Sequence, residues 1–118
     1  MWIYLNAGFY SVGHKPPCQK EELLVRTRSK VDIDKLQKQL KEKFNFDGEL
    51  LSTPKADYAF RIVIPRHMIA TFLVSAVMEL DYPNFKNTIQ GKDYQRHDAY
   101  MKCWEAMHEW QRDLKKES

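Results

Sequence analysis

The first half of the chain alternates apolar and polar residues in a way that predicts a β-sheet. Residues 1–5 and 9–14 are rich in aromatic and β-branched side chains, and the Asn-Ala-Gly between them favours a tight hairpin. Leu23–Arg28 is predicted as a third strand, after a loop that contains two consecutive prolines. Residues 49–54 fit a short strand or an extended link. The strand within residues 56–65 alternates most clearly, and one of its faces holds four apolar residues: Tyr58, Phe60, Ile62 and Ile64.

Three further segments repeat apolar residues at helical spacing. The first has Asp32 as a candidate N-cap and carries one apolar stripe: Ile33, Leu36, Leu40 and Phe44. The second follows Pro65 and is predicted to be the most buried helix, because its stripe is wide: Met68, Ile69, Phe72, Leu73, Ala76, Val77 and Leu80. The third runs from about Lys92 to Lys115 and has its own stripe: Tyr100, Cys103, Trp104, Met107, Trp110 (or Gln111) and Leu114.

These elements predict an α+β fold, in which an N-terminal antiparallel sheet of four or five strands carries one inserted helix and a C-terminal helical pair packed on it. A length of 118 residues fits a single domain over residues 1–118 that buries its own core. No apolar run is long enough to span a bilayer, and the N-terminus has no signal-peptide pattern. Cys18 and Cys103 are predicted to be free thiols in a reducing compartment.

The charge balance limits the classes of partner. A formal net charge of +3 is too weak by itself to indicate a protein that binds double-stranded DNA, but it is compatible with small anionic ligands. If the apolar face of the strands lies against the helices, Arg26, Arg28 and Arg61 gather on the opposite face of the sheet or at its rim. Two interpretations remain open. These arginines form either a solvated face with cross-strand charge pairs or an anion site, because the guanidinium fork matches phosphate geometry.

The segment DYPNFKNTIQGKDYQRHDAY, residues 81–100, combines aromatic rings, amides and cations between two helices. One interpretation is structural: Tyr82 and Phe85 cap the core beneath a loop. The other is functional: an exposed Phe85 stacks on a planar base, the Asn87 amide reads an edge of the base, and Lys86 meets a phosphate. Both interpretations are compatible with the sequence.

No catalytic or metal-binding constellation is evident. The four histidines include no HExxH pair, and Cys103 and His108 are spaced poorly for one metal ion. Ser11 and Ser75 lack the sequence context of a nucleophile elbow, and neither a Walker loop nor GxGxxG is present. The sequence therefore predicts a binding protein with no cofactor, no metal and no enzymatic activity.

Five segments carry a family resemblance: GFYSV, LLVRTR, TPKADYAFRIVIPR, DYPNFKNTI and RHDAYMKCWEAM, in this order and over nearly the whole chain. Together they resemble the phage Thoeris anti-defence sponges of the first type. The resemblance implies a non-enzymatic protein in the cytoplasm of the host bacterium, which traps cyclic ADP-ribose isomers made by TIR-domain proteins. It also implies an oligomer with pockets shared between subunits, and some members hold cyclic oligonucleotides at a second site.

A ligand of this class has one adenine, two riboses and a pyrophosphate. The resemblance implies that Phe85 is the stacking ring and that Arg61 and Arg112 contact the pyrophosphate, in a pocket that straddles a dimer interface. Polar contacts are expected from four residues: Asn84, Asn87, Gln95 and Arg96. Three more residues are candidates for ligand contact: Tyr82, Arg26 and Arg28.

Two other functions compete with a nucleotide sponge: a small protein–protein inhibitor or adaptor of a bacterial defence complex, and a nucleotide-cleaving enzyme. The expected partners are a small cyclic nucleotide and further copies of the chain, in a dimer or a higher assembly with a hexamer among the options. No membrane partner is expected. Large apolar side chains are frequent on the last helix (Trp104, Met107 and Trp110) and occur near the other terminus (Trp2 and Tyr4). A monomer rarely exposes so much apolar surface, so the sequence predicts at least a homodimer.

Overall fold

The computed structural model describes residues 1–89, 91 and 93–117, except for the side chain of residue 117. Contacts divide the chain into two compact units, Met1–Leu80 and Asp81–Ser118. The predicted single domain over residues 1–118 stays a prediction.

Within the described residues, the first unit contains five strands in one antiparallel sheet, in the order β1-β2-β3-β5-β4. The strands are β1 (Trp2–Tyr4), β2 (Phe9–Gly13), β3 (Glu22–Thr27), β4 (Leu51–Ser52) and β5 (Phe60–Pro65). Helix α1 (Lys30–Phe44) is inserted between β3 and β4, and helix α2 (Arg66–Met78) follows β5 directly. The predicted α+β class with an N-terminal antiparallel sheet is confirmed.

The second unit contains a short 3₁₀ helix, Phe85–Thr88, and the long helix α3, Tyr94–Glu117. The predicted start of this helix at about Lys92 lies outside the described residues. None of the helices in the described part of the chain combines the length and the apolar character that a membrane span requires.

The core of the first unit lies between one face of the sheet and the two helices. Val25, Ile62 and Ile64 project from β3 and β5, and the helices contribute five residues to the same cluster: Ile33, Leu36, Leu40, Ile69 and Phe72. Phe60 packs against this cluster, so three of the four apolar residues predicted to face the helices do so. Because side chains alternate along a strand, Arg61 projects from the opposite face, as predicted.

Tyr58 is the exception, and its predicted place in the strand is wrong. The strand begins only at Phe60, because turns and bends occupy residues 54–59. Thr53 closes this loop: its backbone N–H donates to the Ala59 carbonyl at 2.7 Å, and its hydroxyl donates to the Tyr58 carbonyl at 2.7 Å. Tyr58 precedes β5, so the alternation of that strand does not determine where its ring lies. The ring is buried, but outside the core cluster.

The prediction that α2 is the most buried helix is also wrong. Only Ile69 and Phe72 of α2 are buried, whereas α1 buries four residues: Asp32, Ile33, Leu36 and Leu40. Helix α2 is apolar over most of its circumference, and a single stripe of it packs on the core. Four apolar residues in the second half of α2 and just beyond it are exposed as a result: Val74, Val77, Met78 and Leu80.

Asp32 joins α1 to the first hairpin rather than capping its own helix. Ser29 is the N-cap, and its hydroxyl accepts from the Asp32 backbone N–H at 3.3 Å. The Asp32 carboxylate accepts from the backbone N–H of Phe9 at 2.9 Å, and its carbonyl accepts from the Tyr10 hydroxyl at 2.9 Å. A Cβ atom at Gly8 would lie 2.5 Å from Asp32 Cγ, so this contact requires glycine at the turn.

We expect Asp32→Ala to lower the free energy of unfolding by about 1–3 kcal/mol, because the partly buried Phe9 N–H loses its acceptor. Chemical denaturation of the two proteins measures this difference. Asp34→Ala is the matched control: Asp34 pairs with Lys30 at the surface, at 2.9 Å, and its loss should cost about 0.5 kcal/mol or less. Equal costs for the two variants would contradict the anchoring role.

Candidate functional site

The register of β2, β3 and β5 brings two arginines together on the face of the sheet opposite the core. Arg26 of β3 is the direct cross-strand partner of Arg61 on β5, and Ser11 of β2 is its partner on the other side. Arg28 follows β3 directly. We call Arg26, Arg28 and Arg61 the arginine cluster.

Tyr58 is the ring on which two members of the cluster lie. The guanidinium carbon of Arg26 is 4.6 Å from the ring centroid of Tyr58, and that of Arg28 is 4.3 Å from it. Both distances fall within the range of a cation–π contact. Arg26 also donates to the Ser11 hydroxyl at 3.0 Å, and Arg28 donates to the Asp57 carbonyl at 2.6 Å. These contacts fix the two guanidinium groups in position beside a buried ring.

Arg61 is held from the adjacent loop. Its Nε donates to the Thr53 hydroxyl at 3.3 Å, and its Nη2 lies 3.3 Å from Asp57 Oδ1. The side chain of Arg61 is 18% exposed, whereas that of Asp57 is 66% exposed. The ion pair is therefore long and open to solvent on the carboxylate side, and we expect it to contribute little to stability.

The charges of the cluster are unbalanced. Among the described residues, Asp57 is the one carboxylate that pairs with any of the three arginines, which leaves two positive charges uncompensated. The Nε of Arg26 is buried, and no hydrogen-bond partner for it lies among the described residues. Like charges placed directly across a pair of strands are destabilising, and a bound anion would relieve this repulsion. The arrangement can therefore hold a phosphate-bearing ligand.

In the second unit, a stack of rings organises the aromatic segment, by which we mean the described residues between 81 and 100. The Phe85 ring lies parallel to that of Tyr100, at 5.7 Å between centroids and 17° between planes. Tyr82 approaches Phe85 at 6.2 Å and 49°. Phe85 is half-buried in this stack. The contact between Phe85 and Tyr100 therefore joins the 3₁₀ helix to α3.

Two of the predicted polar ligand contacts already have partners within this unit. The Asn84 side chain accepts from the backbone N–H of Lys86 at 3.1 Å and so caps the 3₁₀ helix. Arg96 pairs with Asp93 at 2.9 Å and donates to the Tyr100 hydroxyl at 3.0 Å. Both side chains hold the segment in shape, and neither contact rules out a ligand.

The other predicted site residues of this unit are exposed: Asn87, Gln95 and Arg112. Arg112 follows Tyr100 by 12 residues on α3, which corresponds to about 18 Å along the helix axis. The second unit therefore does not bring Arg112 to the Phe85–Tyr100 stack. The roles of all these residues stay predictions.

Four neighbours of the arginine cluster were not predicted as site residues from the sequence: Ser11, Thr53, Asp57 and Tyr58. The alternating pattern predicts Tyr58 in the core, because the same alternation continues through the loop that precedes β5. Asp57 did leave a signal, since it is the one acidic residue in the run ADYAFR and precedes Arg61 by four residues. The position of Ser11 beside Arg26 depends on the order of the strands, which the pattern of alternation does not specify.

The chain gives no significant match in comparisons with protein-family models, with curated proteins or with solved structures. No set of three His, Cys, Asp or Glu residues in the described part of the chain is placed to hold a metal ion. Fold and site together define an α+β protein with a positively charged cluster on one face of its sheet and an aromatic segment in its second unit.

Proposed function

We propose that the protein binds and sequesters a cyclic ADP-ribose isomer, a nucleotide immune signal, in the cytoplasm of a host bacterium and does not cleave it. The observation that carries this proposal is the arginine cluster, in which one of the three guanidinium groups pairs with a carboxylate and the other two lie against the Tyr58 ring. A pyrophosphate diester carries two negative charges, which equals the imbalance of the cluster. Each charge-assisted contact contributes about 1.5–3 kcal/mol.

The chemistry of the cluster favours binding over turnover. Guanidinium and hydroxyl groups hold a phosphate, but cleavage also requires an activated nucleophile or a general base. Asp57, the carboxylate at the cluster, is paired with Arg61 and faces solvent. The family resemblance noted in the sequence adds support for sequestration.

The aromatic segment supports the nucleotide part of the proposal. A base that stacks on an aromatic side chain gains about 1–3 kcal/mol. Phe85 is the candidate ring, and the stack with Tyr100 and the contact with Tyr82 hold it in one orientation. A fixed ring binds a base at a lower entropic cost than a mobile one.

A thermal-shift screen tests the proposed ligand class. We expect cyclic ADP-ribose isomers to raise the melting temperature in a concentration-dependent manner, because a ligand that binds only the folded state stabilises it. Linear ADP-ribose and cyclic oligonucleotides are the comparison ligands. If the protein is an adaptor, none of these nucleotides will shift the melting temperature.

We also propose that the protein assembles as a homodimer or a higher oligomer through α3. From its middle toward its C-terminal end, this helix exposes four large apolar side chains: Trp104, Met107, Trp110 and Leu114. Monomeric proteins rarely leave contiguous apolar patches of more than a few hundred Å² uncovered. A second copy of the chain offers the same stripe and can cover it by two-fold symmetry.

We expect Trp110→Glu to convert the oligomer to monomer. In a two-fold interface, the carboxylate would lose its hydration beside the same carboxylate of the second copy, and both effects disfavour association. Light scattering at micromolar concentration measures the mass of the two proteins. Lys102→Glu, at an exposed position on the charged side of α3, is the control and should leave the mass unchanged. A monomeric mass for the unmodified protein would contradict the proposed assembly.

A further inference from the structure

Helix α2 has an exposed side that is as apolar as its buried side. No residue from Met68 to Met78 is charged. Ile69 and Phe72 are buried in the core of the first unit. The opposite side of the helix exposes four residues at helical spacing, which we call the outer face of α2: Ala70, Val74, Val77 and Met78. Val74 is 58% exposed, and Met78 is 78% exposed.

The outer face of α2 is a candidate interaction surface. A helix that is apolar on all sides is normally buried on all sides. In the first unit, α2 packs on α1, β3 and β5, and these contacts leave the outer face exposed. Contiguous apolar surface of this kind is typical of a contact with another macromolecule.

We propose that the outer face of α2 binds the same face of a second copy of the chain, with the two helices antiparallel. The contact is separate from the α3 interface proposed above, and it needs no ligand. It therefore goes beyond the proposed function.

The pattern of side-chain sizes makes the outer face complementary to its own reverse. Ala70, Val74 and Met78 follow at four-residue spacing, and their size increases in that order. When a second copy is reversed about a two-fold axis at Val74, the long Met78 of each helix lies over the small Ala70 of the other. Rows of side chains at four-residue spacing interdigitate in the commonest class of helix packing.

The charges at the two ends of α2 also favour an antiparallel partner. Arg66 is basic at the N-terminal end, where the helix macrodipole is positive, and the C-cap Glu79 is acidic at the C-terminal end, where it is negative. Both charges therefore disfavour the helix in isolation. In an antiparallel pair, the basic end of each helix lies beside the acidic end of the other, whereas a parallel pair would bring like charges together.

The contact is expected to be weak. Four side chains from each copy cover less than the roughly 1,200 Å² at which specific, stable interfaces begin, so we expect a dissociation constant of about 0.1–1 mM. The α3 interface then determines the mass at micromolar concentration. A chain with two different two-fold contacts forms assemblies larger than a dimer, so the mass should rise further at high concentration.

Analytical ultracentrifugation of Trp110→Glu tests this contact without a contribution from α3. We expect a monomer at micromolar concentration and a dimer toward about 1 mM. Adding Val74→Glu should weaken the association by about tenfold or more, because the carboxylate would lose its hydration at the two-fold axis. Val31→Glu is the matched control: Val31 lies on α1, is 57% exposed, and its replacement should leave the association unchanged.

Disulfide trapping tests the orientation of the two helices. In Trp110→Glu with Cys18 and Cys103 both replaced by serine, Val74→Cys should form a disulfide with its own copy on mild oxidation. Ala70→Cys and Met78→Cys should form few disulfides when each is oxidised alone and many when they are mixed. The reason is that the antiparallel register brings residue 70 of one copy to residue 78 of the other.

Any of three results would overturn the proposal. Trp110→Glu stays monomeric up to about 1 mM, which is also the result for a face that binds only a different protein. Val74→Glu and Val31→Glu change the association equally. Ala70→Cys forms disulfides alone as fast as in the mixture, which would show parallel helices. No nucleotide enters these measurements, so their outcome is independent of the proposed sequestration.

Discussion

Arg61→Gln is expected to weaken binding of the cyclic ADP-ribose isomer by about ten- to a hundredfold. The arginine supplies a charge-assisted contact to the pyrophosphate, worth about 1.5–3 kcal/mol, and the neutral amide does not replace it. The ligand-free protein should lose less than about 1 kcal/mol of stability, because the contacts of Arg61 to Thr53 and to the exposed Asp57 are both long, at 3.3 Å. Titration calorimetry and chemical denaturation measure the two quantities separately.

Arg66→Gln is the matched control for this variant. Arg66 lies on α2, is exposed, and donates to the Lys20 carbonyl at 3.3 Å, so its replacement changes the net charge equally outside the cluster. Its affinity for the ligand should match that of the unmodified protein. Equal losses in both variants would mean that the effect is one of net charge. Unchanged binding in Arg61→Gln would leave the cluster as a face with cross-strand charge contacts only.

Phe85→Ala is expected to weaken binding of the same ligand by about ten- to a hundredfold while the oligomer stays intact. The basis is the stacking of a base on the ring, worth about 1–3 kcal/mol. Phe85 also stacks on Tyr100, so truncation should lower thermal stability as well. Titration calorimetry gives the affinity, and light scattering gives the mass of the assembly.

Two further variants separate the loss of the ring from the loss of stability. Phe85→Leu keeps apolar volume in the stack but removes the aromatic face, so it should lose affinity with a smaller loss of stability. Phe46→Ala truncates a partly buried ring of the first unit, and it should lower stability without affecting binding. If Phe85→Ala binds the ligand as well as the unmodified protein, the aromatic segment is only a connector.

The strand faces of the first unit were predictable where the alternation was strict. Ile62 and Ile64 follow a period of two, and they lie in the core as expected. Tyr58 continues the same pattern, but it precedes the strand, and the hydrogen bonds of Thr53 that bend its loop leave no mark in the periodicity. Pattern alone could not separate these two cases.

The same reasoning explains the error in α2. A helix that is apolar on most sides has no single stripe that its sequence can identify as buried. Helix α1 has clear polar and apolar sides, so its buried residues Ile33, Leu36 and Leu40 were predicted correctly.

The candidate sites were predictable as residue types but not as arrangements. Alternation predicted that Arg26 and Arg61 share a face, whereas their direct pairing depends on β3 lying next to β5. The stack of Phe85 on Tyr100 joins residues 15 apart in the sequence, and no local pattern reveals this contact. The contact of the Tyr58 ring with two arginines depends on both the strand order and the bent loop, which the pattern does not give.

One measurement tests sequestration most directly. The protein is incubated with a cyclic ADP-ribose isomer, freed of unbound ligand by filtration and heated, and the released nucleotide is identified by mass spectrometry. The account predicts that the unmodified protein retains the isomer and releases it chemically intact, and that Arg61→Gln retains far less at the same ligand concentration. Release of linear ADP-ribose or of smaller fragments would show a cleaving enzyme, and failure to retain any isomer would contradict a nucleotide sponge.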